Sequence, residues 1–169
     1  MAKDSETDGD GMLDDGNENG DGTARYLPHA APMVMIRDVE FPADRTAAAT
    51  ADVSPRNVFF DAAAGGVPGC AALEFMAQTM AAAVGRDRAS RGLPPKVGFV
   101  LGSRKLKIGL DVFNPEKTYR AVAACVFSDD EFASFDCRIE DSRGRTVASG
   151  ALTAYQPSDG DALDVVRRD

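Results

Sequence analysis

The chain has 169 residues and a net charge of −8 at pH 7, with 44% hydrophobic and 27% charged residues, enough for one domain with a buried core. Residues 1–24 hold eight acids and one base, Lys3, so that stretch carries −7 and the rest is near neutral. No basic surplus remains to neutralise phosphates, which argues against a nucleic-acid partner. Three cysteines (Cys70, Cys125, Cys137) without a C-x-x-C pair argue against a disulfide scaffold or a zinc ribbon, and fit a reduced cytoplasm. No charged start followed by an apolar stretch marks a secretory signal, and no apolar run is long enough to span a membrane.

Residues 1–24 read as an acidic disordered tail of Gly, Asp and Asn with little to bury. Asp15, Asn17, Asn19, Gly20 and Asp21 match the early spacing of a calcium loop, but its twelfth position is Tyr26 and no amphipathic helix flanks it. Tails of this composition produce such spacings by themselves. Two prolines, Pro28 and Pro32, make the next stretch extended or turning. Met33 to Phe41 reads as a strand, Pro42 to Arg45 as a turn, and Thr46 to Val53 as a strand of small residues. Ser54 to Pro68 reads as loop or short helix, with Phe59 and Phe60 as a local anchor.

Gly69 to Gly85 has helical length and composition. Its apolar residues run all the way round rather than along one stripe, which predicts burial on nearly every side. Glu74 and Gln78 lie four apart and share a face. A carboxylate in apolar wrapping is costly unless it is used or paired. The free N–H groups of the helix start lie close by, ready for negative charge or a developing oxyanion.

Arg86 to Pro95 reads as a charged loop, and strand signals dominate from Lys96 onward. Val97 to Ile108 carries Arg104, Lys105 and Lys107. Asn114-Pro115-Glu116 is a turn; Tyr119, Ala121, Ala123, Cys125 and Phe127 share one strand face, and Phe135, Cys137 and Ile139 share another. Thr146 to Gln156 is the last strand, and residues 158–169 read as a flexible C-terminal tail. The expected class is α+β: one long buried helix wrapped by a curved antiparallel sheet. One sheet covers only part of such a helix, so the remaining apolar surface should meet another copy or a partner.

The segment Pro68-Gly69-Cys70-Ala71-Ala72-Leu73-Glu74-Phe75-Met76-Ala77-Gln78 resembles the P-G-x-x-x-x-[ED]-x-M-x-Q stretch of bacterial 3-hydroxyacyl-[acyl-carrier-protein] dehydratases. Leu27-Pro28-His29 through Pro32-Met33 is similar to their opening motif, and the whole looks most like the branch of aryl-polyene and related clusters. The resemblance covers residues 25–157 and implies a hot-dog fold. It implies dehydration of 3-hydroxyacyl thioesters on acyl carrier protein to trans-2-enoyl thioesters, without cofactor or metal, by a cytoplasmic homodimer or heterodimer.

By motif position Glu74 is the acid that protonates the departing hydroxyl, and Gly69 binds the thioester carbonyl through its N–H. Gln78 supports Glu74 or the neighbouring loop. The main family carries its catalytic His in a G-H-F-P loop, where this chain has Phe60 and no His. His29, the chain's single His, then either acts as the base or fixes the extended segment by bonding to backbone. Asp61 is either a loop acid or a substitute base, and Cys70 is either a substrate-binding position or a low-pKa thiol without a base to activate it. Glu74 is alternatively a structural acid held by Gln78. Arg104, Lys105 and Lys107 either hold a phosphopantetheine arm or form a solvated strand face. The lost loop His leaves two other readings open: a non-catalytic partner subunit of an active dehydratase, and a hot-dog acyl thioesterase.

Overall fold

The computed structural model describes residues 22–157. The calcium-like spacing at residues 15–21 and the C-terminal tail lie outside the described residues. A 3-10 turn, Thr23–Tyr26, precedes strands β1 (Ile36–Ala43) and β2 (Thr46–Ala51). Then come β3 (Val67–Pro68), a 3-10 turn (Gly69–Ala71) and the helix α1 (Ala72–Ser90). Five strands follow: β4 (Phe99–Ile108), β5 (Val112–Phe113), β6 (Tyr119–Ser128), β7 (Phe132–Asp141) and β8 (Thr146–Tyr155). Six strands form one antiparallel sheet in the order β1-β2-β6-β7-β8-β4, and β3 pairs with β5.

The sheet's period of two selects its buried face. Tyr119, Ala121 and Ala123 of β6 and Phe135, Cys137 and Ile139 of β7 are buried at alternate positions. α1 meets them with Phe75, Met76, Met80 and Ala82. The alanines of β2, Ala47, Ala49 and Ala51, keep that part of the sheet low enough for the helix to lie close. Phe75, Phe113 and Tyr119 lock the centre edge to face, with ring centroids 5.3 and 4.9 Å apart. α1 packs chiefly on β6, β2, β1 and β7, at one side of the sheet, and β4 lies at the opposite edge.

Two expectations change. The helix does not stop at Gly85 but continues through Arg86, Asp87 and Arg88 to Ser90. These residues carry no apolar period, yet they are compatible with helix, and Arg86 stacks on Phe41 at 4.7 Å. The stop is Gly92, in the left-handed region at φ 66°, with Leu93 N–H bonded to the Arg88 carbonyl and Gly92 N–H to that of Ala89. Phe127 leaves the face it was expected to share. A bulge after Cys125 shifts the β6–β7 register and turns Phe127 out, 54% exposed.

β4 is unlike the other long strands: nine of its ten positions are exposed, including Leu101 at 59%. Its register slips twice against β8, and Lys105, inside the second slip, has a positive φ of 53°. Arg104, Lys105 and Lys107 all lie on this open strand.

Candidate active site

α1 is covered by sheet on one side only. Ala72, Phe75, Met76, Thr79 and Ala82 are buried, whereas Leu73, Glu74, Ala77, Ala81 and Val84 are half-buried along the other side. Burial on every side is therefore not realised within one chain. The half-buried side borders a cavity of about 410 Å³, whose walls include His29, Glu74, Ala81, Phe99, Phe132 and Ala154.

The structure brings three of the expected residues together. His29 Nε2 lies 3.7 Å from Glu74 Oε1, with the two side chains 31% and 33% exposed. Glu74 is thus half-buried at the cavity wall, not sealed in apolar packing. Gln78 is the buried member, at 0% exposure. Its Nε2 donates to Glu74 Oε1 at 2.8 Å and to the Met33 carbonyl at 2.7 Å, while its Oε1 accepts the Met35 N–H at 2.9 Å. One amide therefore joins the carboxylate to the segment that carries His29 into β1. Both alternatives given for Gln78, a support for Glu74 and a support for the neighbouring segment, describe the same side chain. His29 Nδ1 is buried and has no hydrogen-bond partner among the described residues.

Four other expected residues are not part of this cluster. The Gly69 N–H donates to the Asp111 carbonyl at 2.7 Å, and so is not free to bind a thioester carbonyl; this corrects the role expected from its motif position. Gly69 has a different need to be glycine: a Cβ there would overlap the Leu110 carbonyl oxygen, where the chain passes close. Cys70 is exposed in the 3-10 turn that leads into α1, four residues before Glu74. Phe60 is half-buried against the core, away from the cavity wall. Asp61 caps its own loop by accepting the N–H groups of Ala63 and Ala64.

The end of the cavity near the helix C-terminus was not visible in the sequence. Arg88, Lys96, Asp129, Asp130 and Glu131 line it, brought together from the last helix turn, the segment before β4 and the β6–β7 turn. Only the strand pairing that sets Phe132 and Phe99 on either side of Tyr155 places these segments side by side. In that turn, the N–H groups of Phe132 and then Glu131 hold the Asp129 carboxyl below its usual range. Cys137 is buried, and burial, with the Asp136 charge adding, pushes its thiol up to about 12, far from thiolate chemistry. Among the described residues no group of three or more His, Cys, Asp or Glu could hold a metal ion, and no helix is long and apolar enough to cross a membrane.

A family model for the ApeP-like dehydratases, described as ApeP dehydratase, matches residues 22–165. The chain belongs to the ApeP-like dehydratase family. The fold is the hot-dog fold, as the resemblance implied. The chain is similar to a subunit of "The Dehydratase Heterocomplex ApeI:P" from Xenorhabdus doucetiae, with 27% identity and a TM-score of 0.77, over 86% of this chain and 97% of that one. A hypothetical thioesterase with coenzyme A from Streptococcus pneumoniae TIGR4 matches at 19% identity and TM-score 0.53, over 71% and 84% of the two chains. An HP0420 homologue from Helicobacter felis matches at 6% identity and TM-score 0.61, over 82% and 90%. These last two share the fold alone. The comparison with curated protein sequences gives no match.

Proposed function

We propose that this chain removes water from 3-hydroxyacyl thioesters carried on acyl carrier protein, giving trans-2-enoyl thioesters, as one subunit of a hot-dog dimer. The observation that carries this reading is the placement of Glu74 and His29, 3.7 Å apart on the wall of a cavity along α1. His29 Nε2 takes the proton from C2. The C2–H electrons form the C2=C3 double bond, and the C3–O bond breaks as the Glu74 carboxyl protonates the leaving hydroxyl. The proton on His29 then passes to the Glu74 carboxylate beside it, which restores both groups. Gln78 fixes the carboxylate by its 2.8 Å hydrogen bond. With the Gly69 N–H taken, we assign the thioester carbonyl to the Cys70 N–H, which lies at the helix start where acceptors within the helix run out.

A second hot-dog subunit belongs to this reading. The related Xenorhabdus doucetiae protein is part of a heterocomplex, and β4 offers an open strand edge with Leu101, Leu106 and Ile108 exposed. We place the partner on that edge.

Incubating the purified chain, alone and with a candidate hot-dog partner, with a 3-hydroxyacyl carrier protein tests the reading by mass. Water loss is expected, with Glu74→Gln and His29→Ala each lowering kcat by about a hundred- to ten-thousand-fold. Turnover that survives both substitutions would move the chemistry to the partner and leave His29 and Glu74 structural. Thiol release without enoyl product would make the protein a thioesterase.

A further inference from the structure

Four of the six alanines of α1 fall into two contrasting pairs. Ala72 and Ala82 are fully buried against the sheet, where a larger side chain has no room. Ala77 and Ala81 are half-buried and line the cavity; Ala81 also touches the edge of the core, so its one methyl group is shared between core and cavity. With Val84 they continue along the helix from Glu74, and Phe99, Ala133 and Ala154 form walls of the same cavity. Glu74 to Val84 spans roughly 15 Å of helix at 1.5 Å per residue. Beyond it the lining changes to Arg88, Lys96, Asp130 and Glu131. An apolar chain end pushed among those groups would strip them of water without offering hydrogen bonds.

Resting on the dehydratase reading, we propose that this cavity takes the acyl chain of the substrate, laid along α1 away from Glu74, and that Ala81 sets the length it accepts. Apolar chains that end beside Ala81 and Val84 gain affinity with each methylene buried. Chains that reach the charged end gain nothing further. A bulky side chain at position 81 closes the cavity part-way and leaves only the section next to His29 and Glu74.

The test needs no turnover. Butyl, decyl and hexadecyl thioethers of pantetheine, which cannot be dehydrated or hydrolysed, are titrated into the full-length protein by calorimetry. The decyl probe is expected to bind at least tenfold tighter than the butyl probe, with no further gain for hexadecyl. In Ala81→Phe the decyl advantage falls to less than about twofold while butyl binding stays within about twofold of the parent. Ala133→Phe narrows the same cavity from β7 and serves if Ala81→Phe does not fold. Equal binding of butyl and decyl probes by the parent, no binding of either, or an Ala81→Phe effect as large on butyl as on decyl would overturn the proposal. So would a hexadecyl gain that continues at the same slope. Running 3-hydroxybutyryl and 3-hydroxydecanoyl carrier protein on the same samples separates the two readings. Chain-dependent binding without water loss would reject the dehydratase and keep Ala81 as the length determinant. Water loss with chain-independent binding would do the reverse.

Discussion

The side chain with most depending on it is Gln78 rather than either candidate catalytic residue. It fills three hydrogen-bonding places, to Glu74, Met33 and Met35, at full burial. Gln78→Ala strands a buried N–H and a carbonyl, at about 1–3 kcal/mol for each unmet group. We expect its thermal midpoint to fall by roughly 5 °C or more. An unchanged midpoint in a scanning-calorimetry trace would show that the amide holds nothing. The Glu74–Gln78 pairing was legible in the sequence because a spacing of four fixes helical neighbours. The bonds to Met33 and Met35 were not, because they join positions 45 and 43 residues apart. The Gly69 assignment fails for a similar reason: the motif shows a glycine at a helix start, but only the fold shows that the Asp111 carbonyl has taken its N–H.

At the scale of the element, α1 shows where propensity and packing disagree. Gly85 sits inside the helix, where alanine is normally better by about 1 kcal/mol. Here a Cβ would run into the carbonyl of Tyr26, the last residue of the 3-10 turn Thr23–Tyr26, which packs against α1. Gly85→Ala is therefore expected to unfold at lower urea than the parent; a raised midpoint would mean that the turn gives way without cost. The helix was readable up to Gly85 because apolar residues recur that far. Its last turn was not, since Arg86 to Ser90 bury little and the stop at Gly92 depends on backbone geometry. The bulge in β6 hid Phe127 in the same way: alternation in a sequence assumes a regular register, and one extra residue inverts everything beyond it.

At the scale of the molecule, the two sheet turns give stability an acid limb. In the β7–β8 turn, the Arg145 guanidinium first, and then backbone N–H groups, hold the Asp141 carboxyl below its ordinary value of 3.8. Asp129 is lowered at the β6–β7 turn by backbone N–H groups. A carboxyl with a folded pKa below its unfolded one favours the folded state above pH 3.8 and loses that contribution as pH falls through the depressed value. Asn at both positions keeps the oxygen that accepts the backbone N–H groups and removes the charge, and at position 141 also the second oxygen, which accepts from Arg145. The urea midpoint of that double variant should fall less steeply than the parent's between about pH 5 and pH 2; parallel curves would place the acid sensitivity elsewhere. The sheet order itself was only half legible. The hairpins β1–β2, β6–β7 and β7–β8 follow from short turns, but β4 pairing with β8 across the length of the domain does not.

That same edge strand bears on how the protein must be made. β4 exposes nine of ten residues, four of them large and apolar, and its outer backbone edge is unpaired by any strand among the described residues. Open edges of this kind recruit other strands without regard to identity. Lys105 and the two register slips roughen the edge without closing it. With the proposed second subunit seated on β4, a cell that makes this chain in excess of that subunit accumulates molecules primed to clump, so yield of soluble material becomes a question of stoichiometry during synthesis, and co-expression with the subunit is expected to raise it.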